Sequence, residues 1–580
     1  MQTDFEIKRS GSMEAALVSS HTEGSVSTYT FHFKWTEADA EKDASYMIRW
    51  EVPMVGILYY WSPLCGHNRT IGVDWMGDHS SMISAGAPLE ALYDGEGVNQ
   101  YTWQVSECQK LVFFHSGVIE ENGNIECRFR FGTRQFTGTY ETDITLRVDE
   151  TKEPLYQTLK NAARWWADDL GMTPAFVPNE ATEPCYSFWY SFHQQVYEKE
   201  VEDECRRARA LGFNTCIIDD GWQTDDNNRG YGYCGDWEVA PGKISDMKAH
   251  VARVHEIGMK YILWYSVPLL GYHSKHYEEF KDMVLNTGMS RHSAGILDPR
   301  YKEVREFLIG IYVKALREWD LDGFKLDFID TWRYEPTNAP YNEKMDIPSL
   351  ENAVQTFMLD LNAALKAIKP DVMLEFRQGY IGPHMRRFGN MFRVADCPDD
   401  YISNRIGSLD LRMTMGESAV HSDMLMWHKD EKPEIAALQI ASVLFCVVQY
   451  SARLDRLTPE MKTMSLHYLN FLREHKETLL KGELRTYEPH LLYTWAEALG
   501  GKETVAAVYA IDKCVKPAEN DVIYIVNGSE GKRILAELDG EYALTVLDCM
   551  GKTVLEEKRT LSGINSIPCP VGGMIKLIKA

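Results

Sequence analysis

The sequence predicts a multidomain α/β plus β fold: a central (β/α)8 (TIM) barrel between an N-terminal β-sandwich and a small C-terminal antiparallel β-sandwich. Three observations carry this. Between roughly residues 180 and 450, eight short apolar runs alternate with longer amphipathic stretches. Both ends of the chain are instead rich in β-branched and aromatic segments bounded by Gly, Asn and Asp. The length, 580 residues, also exceeds what one hydrophobic core ordinarily holds. The domain limits read 1–170, 171–478 and 479–580.

In the first domain, Ser27–Phe33, Val55–Trp61, Lys110–Phe114 and Ile125–Phe131 read as strands, and Tyr140–Val148 alternates like a half-buried one. The barrel runs are Tyr186–Phe192, Asn214–Trp222, Lys260–Val267, Gly323–Ile329, Val372–Phe376, Met391–Ala395, Ser422–Trp427 and Val443–Tyr450. Helix-like patterns such as Lys302–Trp319 and Leu350–Ile368 lie between them. Eight runs over about 300 residues fit a barrel with insertions. A doubly wound open sheet is the alternative, but no Gly-rich phosphate loop follows any run. Past residue 480, His490–Trp495, Thr504–Ala510, Asp521–Val526 and Ala543–Leu547 return to strand patterns.

The formal charge of -24, from 85 acidic against 61 basic residues, disfavours nucleic acid and anionic membranes as partners. Met1–Leu17 carries Asp4, Glu6, Lys8, Arg9 and Glu14 and lacks an apolar core, so no secretion leader is expected. The twelve Cys are scattered, with no C-x-x-C pair, which favours reduced thiols and a cytoplasmic location.

Barrel enzymes act at the C-terminal ends of their strands, and four strand ends here carry chemistry. In Gly323–Ile329, alternation puts Lys325 and Asp327 on one face, opposite Phe324, Leu326 and Phe328. An ammonium beside a carboxylate keeps it ionised, as a nucleophile requires, although a structural ion pair explains the pattern equally well. Asp219 and Asp220 end the second run and can accept hydrogen bonds from sugar hydroxyls, with Trp222 as a stacking face. The same residues could cap a helix. Trp264, near the end of the third run, is either core or subsite. Asp396 follows the sixth run; as a general acid it would need apolar neighbours to raise its pKa. Two separated carboxylates at one barrel mouth meet the needs of glycoside hydrolysis. No cofactor is called for, and no His-x-His cluster completes a metal site, which disfavours a metal-dependent hydrolase.

These segments resemble glycoside hydrolase family 36 and the wider clan that includes the family 27 α-galactosidases. The resemblance rests on Ile218–Gln223, Gly235-Asp236-Trp237 with Lys243, His255–Lys260 with Leu263-Trp264, Leu297-Asp298, Lys325-x-Asp327 and Arg393-x-x-Asp396, in register over roughly residues 185–405. It implies a retaining, cofactor-free exo-α-galactosidase with Asp327 as nucleophile and Asp396 as acid/base. It also implies that Asp219, Asp220, Lys325 and Trp264 bind the sugar, with Arg393 near its 2-position and Arg291 lining the site. The chain departs from the family at Leu326 and Ile329, and where a Cys-x-x-Gly element is usual it has Glu375-Phe376-Arg377-Gln378. Glu375 or Arg377 near the 2-position would favour another substituent, such as an amine or N-acetyl group. The competing readings are an α-N-acetylgalactosaminidase or other α-glycosidase with an altered 2-position pocket, and a catalytically silent sugar-binding protein on the same fold. An oligosaccharide or glycoside is the expected partner, and a homo-oligomer is compatible with it.

Overall fold

The computed structural model describes residues 4–9, 14–35, 45–132 and 140–580. Of the stretch Met1–Leu17, residues 1–3 and 10–13 lie outside this set. The first domain packs two six-stranded sheets face to face. Val26–Trp35 alternates strictly between buried and half-buried positions, because Phe31, Phe33 and Trp35 all point between the sheets. There they meet Tyr46, Trp50, Phe129 and Phe131 from the facing sheet.

The helix Leu155–Arg164 leads from this sandwich to the barrel. It is tied to the sandwich by Gln104, whose amide donates to the Ala162 carbonyl, and by the Trp166 indole, which donates to the Val105 carbonyl. The barrel strands are β1 (Cys185–Ser187), β2 (Thr215–Ile218), β3 (Lys260–Ser266), β4 (Gly323–Asp327), β5 (Met373–Arg377), β6 (Met391–Arg393), β7 (Ala419–His421) and β8 (Gln449–Tyr450). All neighbours pair in parallel, and β1 pairs with both β2 and β8. Single bridges, His421 to Val447 and Leu425 to Tyr450, close the ring between β7 and β8. A three-stranded excursion, Leu269–Gly271, Val284–Asn286 and Ala294–Leu297, is inserted after β3.

Three barrel strands differ from the expected positions: of the first run, Tyr186–Phe192, only Tyr186 and Ser187 are strand, and Trp189–Phe192 forms a helical turn. The seventh is Ala419–His421, not Ser422–Trp427, which forms a loop over the barrel mouth. The run Val443–Tyr450 contributes only Gln449–Tyr450, since the turn that follows the helix Pro433–Ser442 takes up its first part. Both runs are buried whatever their backbone does, so their apolar character did not report a strand. In the last domain, a seven-stranded sheet accompanies a three-stranded one. It is largely antiparallel, with Glu503–Val508 and Val522–Asn527 running parallel. Pro489–Leu491 is a helical turn flanked by left-handed Glu488, Leu492 and Tyr493, so the strand expected at His490 begins at Trp495. Among the described residues no helix is long and apolar enough to cross a membrane. All twelve cysteines are free.

Candidate active site

The β4 alternation seats the charged face. Phe324 packs outward on Tyr265 and Tyr312, the latter from the helix Lys302–Trp319, while Lys325 and Asp327 point to the opposite side. Phe328 then turns left-handed (φ 65°), which ends the strand and brings its N–H to Asp327 Oδ1 at 2.8 Å. Arg377 Nε, at the end of β5, donates to the same oxygen at 2.7 Å, and Trp264 Nε1 donates to Oδ2 at 3.1 Å. Burial opposes ionisation of Asp327, but Arg377 and Lys325 overcome it and hold the carboxyl well below the usual range. One side of Oδ2 keeps spare acceptor capacity.

Lys325 Nζ lies 2.6 Å from Asp219 Oδ2, and both side chains are buried. Burial works against the ammonium, yet Asp219 keeps it above the ordinary amine range. Asp220 accepts one amide on each oxygen, Gln223 Nε2 on Oδ1 and Gln194 Nε2 on Oδ2, both at 2.6 Å. Burial nevertheless pushes its carboxyl up to about 6. Lys243 Nζ secures this corner by donating to the Gln194 and Gly221 carbonyls and to Asn227 Oδ1.

Across the mouth, Arg393 is a buried hub. Its Nη2 donates to Asp396 Oδ1 at 2.8 Å, its Nη1 bonds Asp423 Oδ1, and Glu375 Oε1 lies 3.7 Å from its Nε. Asp423 Oδ2 accepts from Tyr190 Oη at 2.9 Å and from the Cys397 N–H at 2.7 Å, which fixes the backbone beside Asp396. Burial raises the carboxyls of Glu375 and Asp423. Asp396 is different, with more than half of its side chain exposed. What burial it has works upward, but Arg393 and then Lys325 hold its carboxyl below the usual range.

Asp327, Asp219, Asp220, Lys325, Trp264, Arg377, Arg393, Glu375 and Asp396 thus gather at or inside one end of the barrel. Two expected residues do not join them. The Trp222 ring is fully buried among Trp237, Tyr265 and Trp319, and its indole donates to the Trp264 carbonyl; it offers no face to a ligand. It sits past the Asp219-Asp220 turn, against Trp319 at the end of the helix Lys302–Trp319. Arg291 lies exposed on the turn Ser290–His292 and makes no hydrogen bond or ion pair with the cluster among the described residues. Glu375 is 1% exposed and one layer deeper, level with Lys325 and bonded to Gln449. It reaches the mouth through Arg393 and through the charge of Lys325. In place of the apolar neighbours that a raised pKa would need, Asp396 has the Arg393 guanidinium.

Asp423, Tyr190 and Gln194 escaped the sequence reading. Asp423 was hidden inside the run mistaken for the seventh strand; it lies two residues beyond β7, as Asp220 lies two beyond β2. Gln194 carries no local signal.

The Melibiase family model matches residues 187–377, from β1 to the end of β5. The α-galactosidase Mel36A of Lactobacillus acidophilus is 25% identical over 252 residues, 41% of this chain and 32% of that protein. The bifunctional α-galactosidase/sucrose kinase AgaSK of Mediterraneibacter gnavus is 29% identical over 148 residues, 24% of this chain and 15% of that one. The chain therefore aligns with less than a third of the length of these relatives. Among solved structures, the α-galactosidase from Lactobacillus brevis superposes with a TM-score of 0.66 at 13% identity, covering 96% of this chain and 78% of that one. The family 36 α-galactosidase AgaA of Geobacillus stearothermophilus gives 0.64 at 13% identity, covering 100% and 88%. The fold is shared along the whole chain, whereas recognisable sequence likeness is confined to parts of it.

Proposed function

We propose that this chain, which is similar to α-galactosidases of glycoside hydrolase family 36, is an exo-acting retaining α-glycosidase that releases terminal α-galactosyl groups. The observation that carries the reading is Asp327, held ionised by Arg377 and Lys325, with three N–H donors fixing its carboxylate and one side of Oδ2 left free. In this reading Oδ2 attacks the anomeric carbon and Asp396 gives a proton to the departing oxygen. Asp396 then takes a proton from the water that cleaves the glycosyl-enzyme. Asp219, Asp220 and Lys325 are the polar groups suited to the outer sugar hydroxyls. Variants of AgaA have been solved with raffinose and stachyose, which makes α-galactosyl oligosaccharides the first substrates to try.

The test is the anomer first released from an aryl α-galactoside, followed by NMR, together with the Asp327→Ala variant. Retention gives α-galactose first. Asp327→Ala should lose at least about a thousandfold in kcat and, with azide supplied, form the β-galactosyl azide. First release of the β-anomer, or full activity in the variant, would remove Asp327 from the role of nucleophile.

A further inference from the structure

Beside this site lies an open polar cavity of about 290 Å³, built by the loops that follow β1, β2 and β8. Its wall includes His193, Gln194, Asn227, Arg229, Arg453 and Arg456. Three guanidiniums face one lining carboxylate, Glu200, in a chain whose overall charge is -24. A basic recess on so acidic a protein needs an explanation beyond composition.

The donors there outnumber the acceptors. Arg229 Nη2 donates to His193 Nε2 at 2.7 Å; an arginine can only donate, so the imidazole is the neutral tautomer with its proton on Nδ1. That Nδ1–H is buried and has no acceptor among the described residues. Arg453 lies over the Phe192 ring and is paired with Asp455, outside the cavity lining. The Arg456 guanidinium has no hydrogen bond or ion pair among the described residues, and Arg229 itself is exposed. Arginine forks are the donors that fit the oxygens of a phosphate group. The volume is roughly ten times the ~30 Å³ of one liquid water, room for a phosphate and part of the group that bears it.

The cavity is joined to the candidate active site. Gln194 forms the shared wall: its Nε2 donates to Asp220, its Oε1 accepts the Arg229 N–H at 2.7 Å, and its carbonyl holds Lys243. Ser191, also in the lining, follows Tyr190, which bonds Asp423 beside Asp396. We propose that this cavity binds a phosphate group, either one carried on a glycoside in the neighbouring site or free phosphate. The first source rests on the glycosidase reading; the binding itself does not.

The test therefore has two arms. In the first, inorganic phosphate is titrated into the full chain by calorimetry at fixed ionic strength, with chloride as the control anion. Saturable binding is expected, weakened about tenfold or more in both Arg229→Gln and Arg456→Gln, whose side chains are exposed and lie outside the catalytic cluster. No saturable binding above chloride, or binding unchanged in both variants, overturns the proposal. The second arm compares hydrolysis of an α-galactoside bearing a phosphate on its leaving sugar with its unphosphorylated counterpart. A lower KM for the phosphorylated substrate, lost in the two variants while kcat/KM for the plain substrate holds, assigns the cavity to a substrate phosphate. Phosphate binding with equal KM for the two substrates assigns it to free phosphate. Absence of all hydrolysis would overturn the glycosidase reading and leave the first arm standing.

Discussion

Arg393 donates to Asp396 at 2.8 Å, so the carboxylate expected to act as an acid is held ionised by its nearest cation. The same guanidinium also neutralises Asp423 and lies 3.7 Å from Glu375, two buried groups with no other ion pair among the described residues. The acid role proposed for Asp396 therefore requires that a bound sugar weaken the Nη2 bond, while Asp423 keeps the arginine in place.

Replacing Arg393 should have two separable effects. Arg393→Gln leaves Asp423 without its charge partner and Glu375 with Lys325 alone, and should destabilise the fold by about 3–5 kcal/mol in urea denaturation. In whatever fraction folds, Asp396 regains a higher pKa. A general acid is lost as pH rises through its pKa, so the alkaline limb of kcat/KM should move to higher pH. Arg393→Lys keeps the charge and should show the smaller shift. An unmoved limb in both would dissociate Asp396 from the acid role.

Arg377 predicts the opposite limb. Its bond to Asp327 Oδ1 holds that carboxyl well below the usual range, so wild type should keep Asp327 ionised across the whole accessible pH range. In Arg377→Met the pKa rises, and kcat/KM should fall as pH drops into the ordinary carboxylate range. An identical acid limb in the two proteins would mean that Lys325 alone sets the charge of Asp327.

Asp220 ties stability to pH. Burial lifts its folded pKa to about 6 from the model-peptide value of 3.8. The folded state thus favours the protonated form, and its contribution is full below the unfolded pKa and lost as pH rises through the folded one. The loss between these limits is about 3 kcal/mol. Urea midpoints at closely spaced pH values should show this decline in wild type. Asp220→Asn should remove that part of the slope, whatever it does to total stability.

Trp222 separates packing from binding. Trp222→Phe removes ring volume from the cluster with Trp237, Tyr265 and Trp319 and leaves the Trp264 carbonyl without its donor. A loss of about 2 kcal/mol in stability is expected. KM for an aryl α-galactoside should change little. A large rise in KM with unchanged stability would return this ring to the binding site.

Period-two alternation in Gly323–Ile329 was enough to place Lys325 and Asp327 on one face, because a strand whose outer side must meet helices has no freedom to turn its charges there. The rhythm of apolar runs likewise predicted a barrel, since each strand covered on both faces needs an unbroken apolar stretch. That logic fails where everything is buried. At Ser422–Trp427 and Val443–Tyr450 loop, turn and strand share one composition, so the strand ends shifted and Asp423 was overlooked. It fails again at Trp222, where an indole beside two carboxylates reads the same whether it faces a ligand or the core.

What the sequence determined by itself was therefore local: which segments could be strands, which charges shared a face, and which short motifs could stand at a barrel mouth. Tertiary structure alone decided which charges meet. Lys325 and Asp219 are 106 positions apart, Arg377 and Asp327 are 50 apart, and Arg393 and Asp423 are 30 apart. Each pair is made only when the barrel closes and brings its strand ends around one axis. Ionisation follows from those pairings and from burial, neither of which is a property of a residue in its local sequence. Hence Asp327 and Asp396, equivalent as letters, become a carboxylate fixed by three donors and an exposed one tethered to a single arginine.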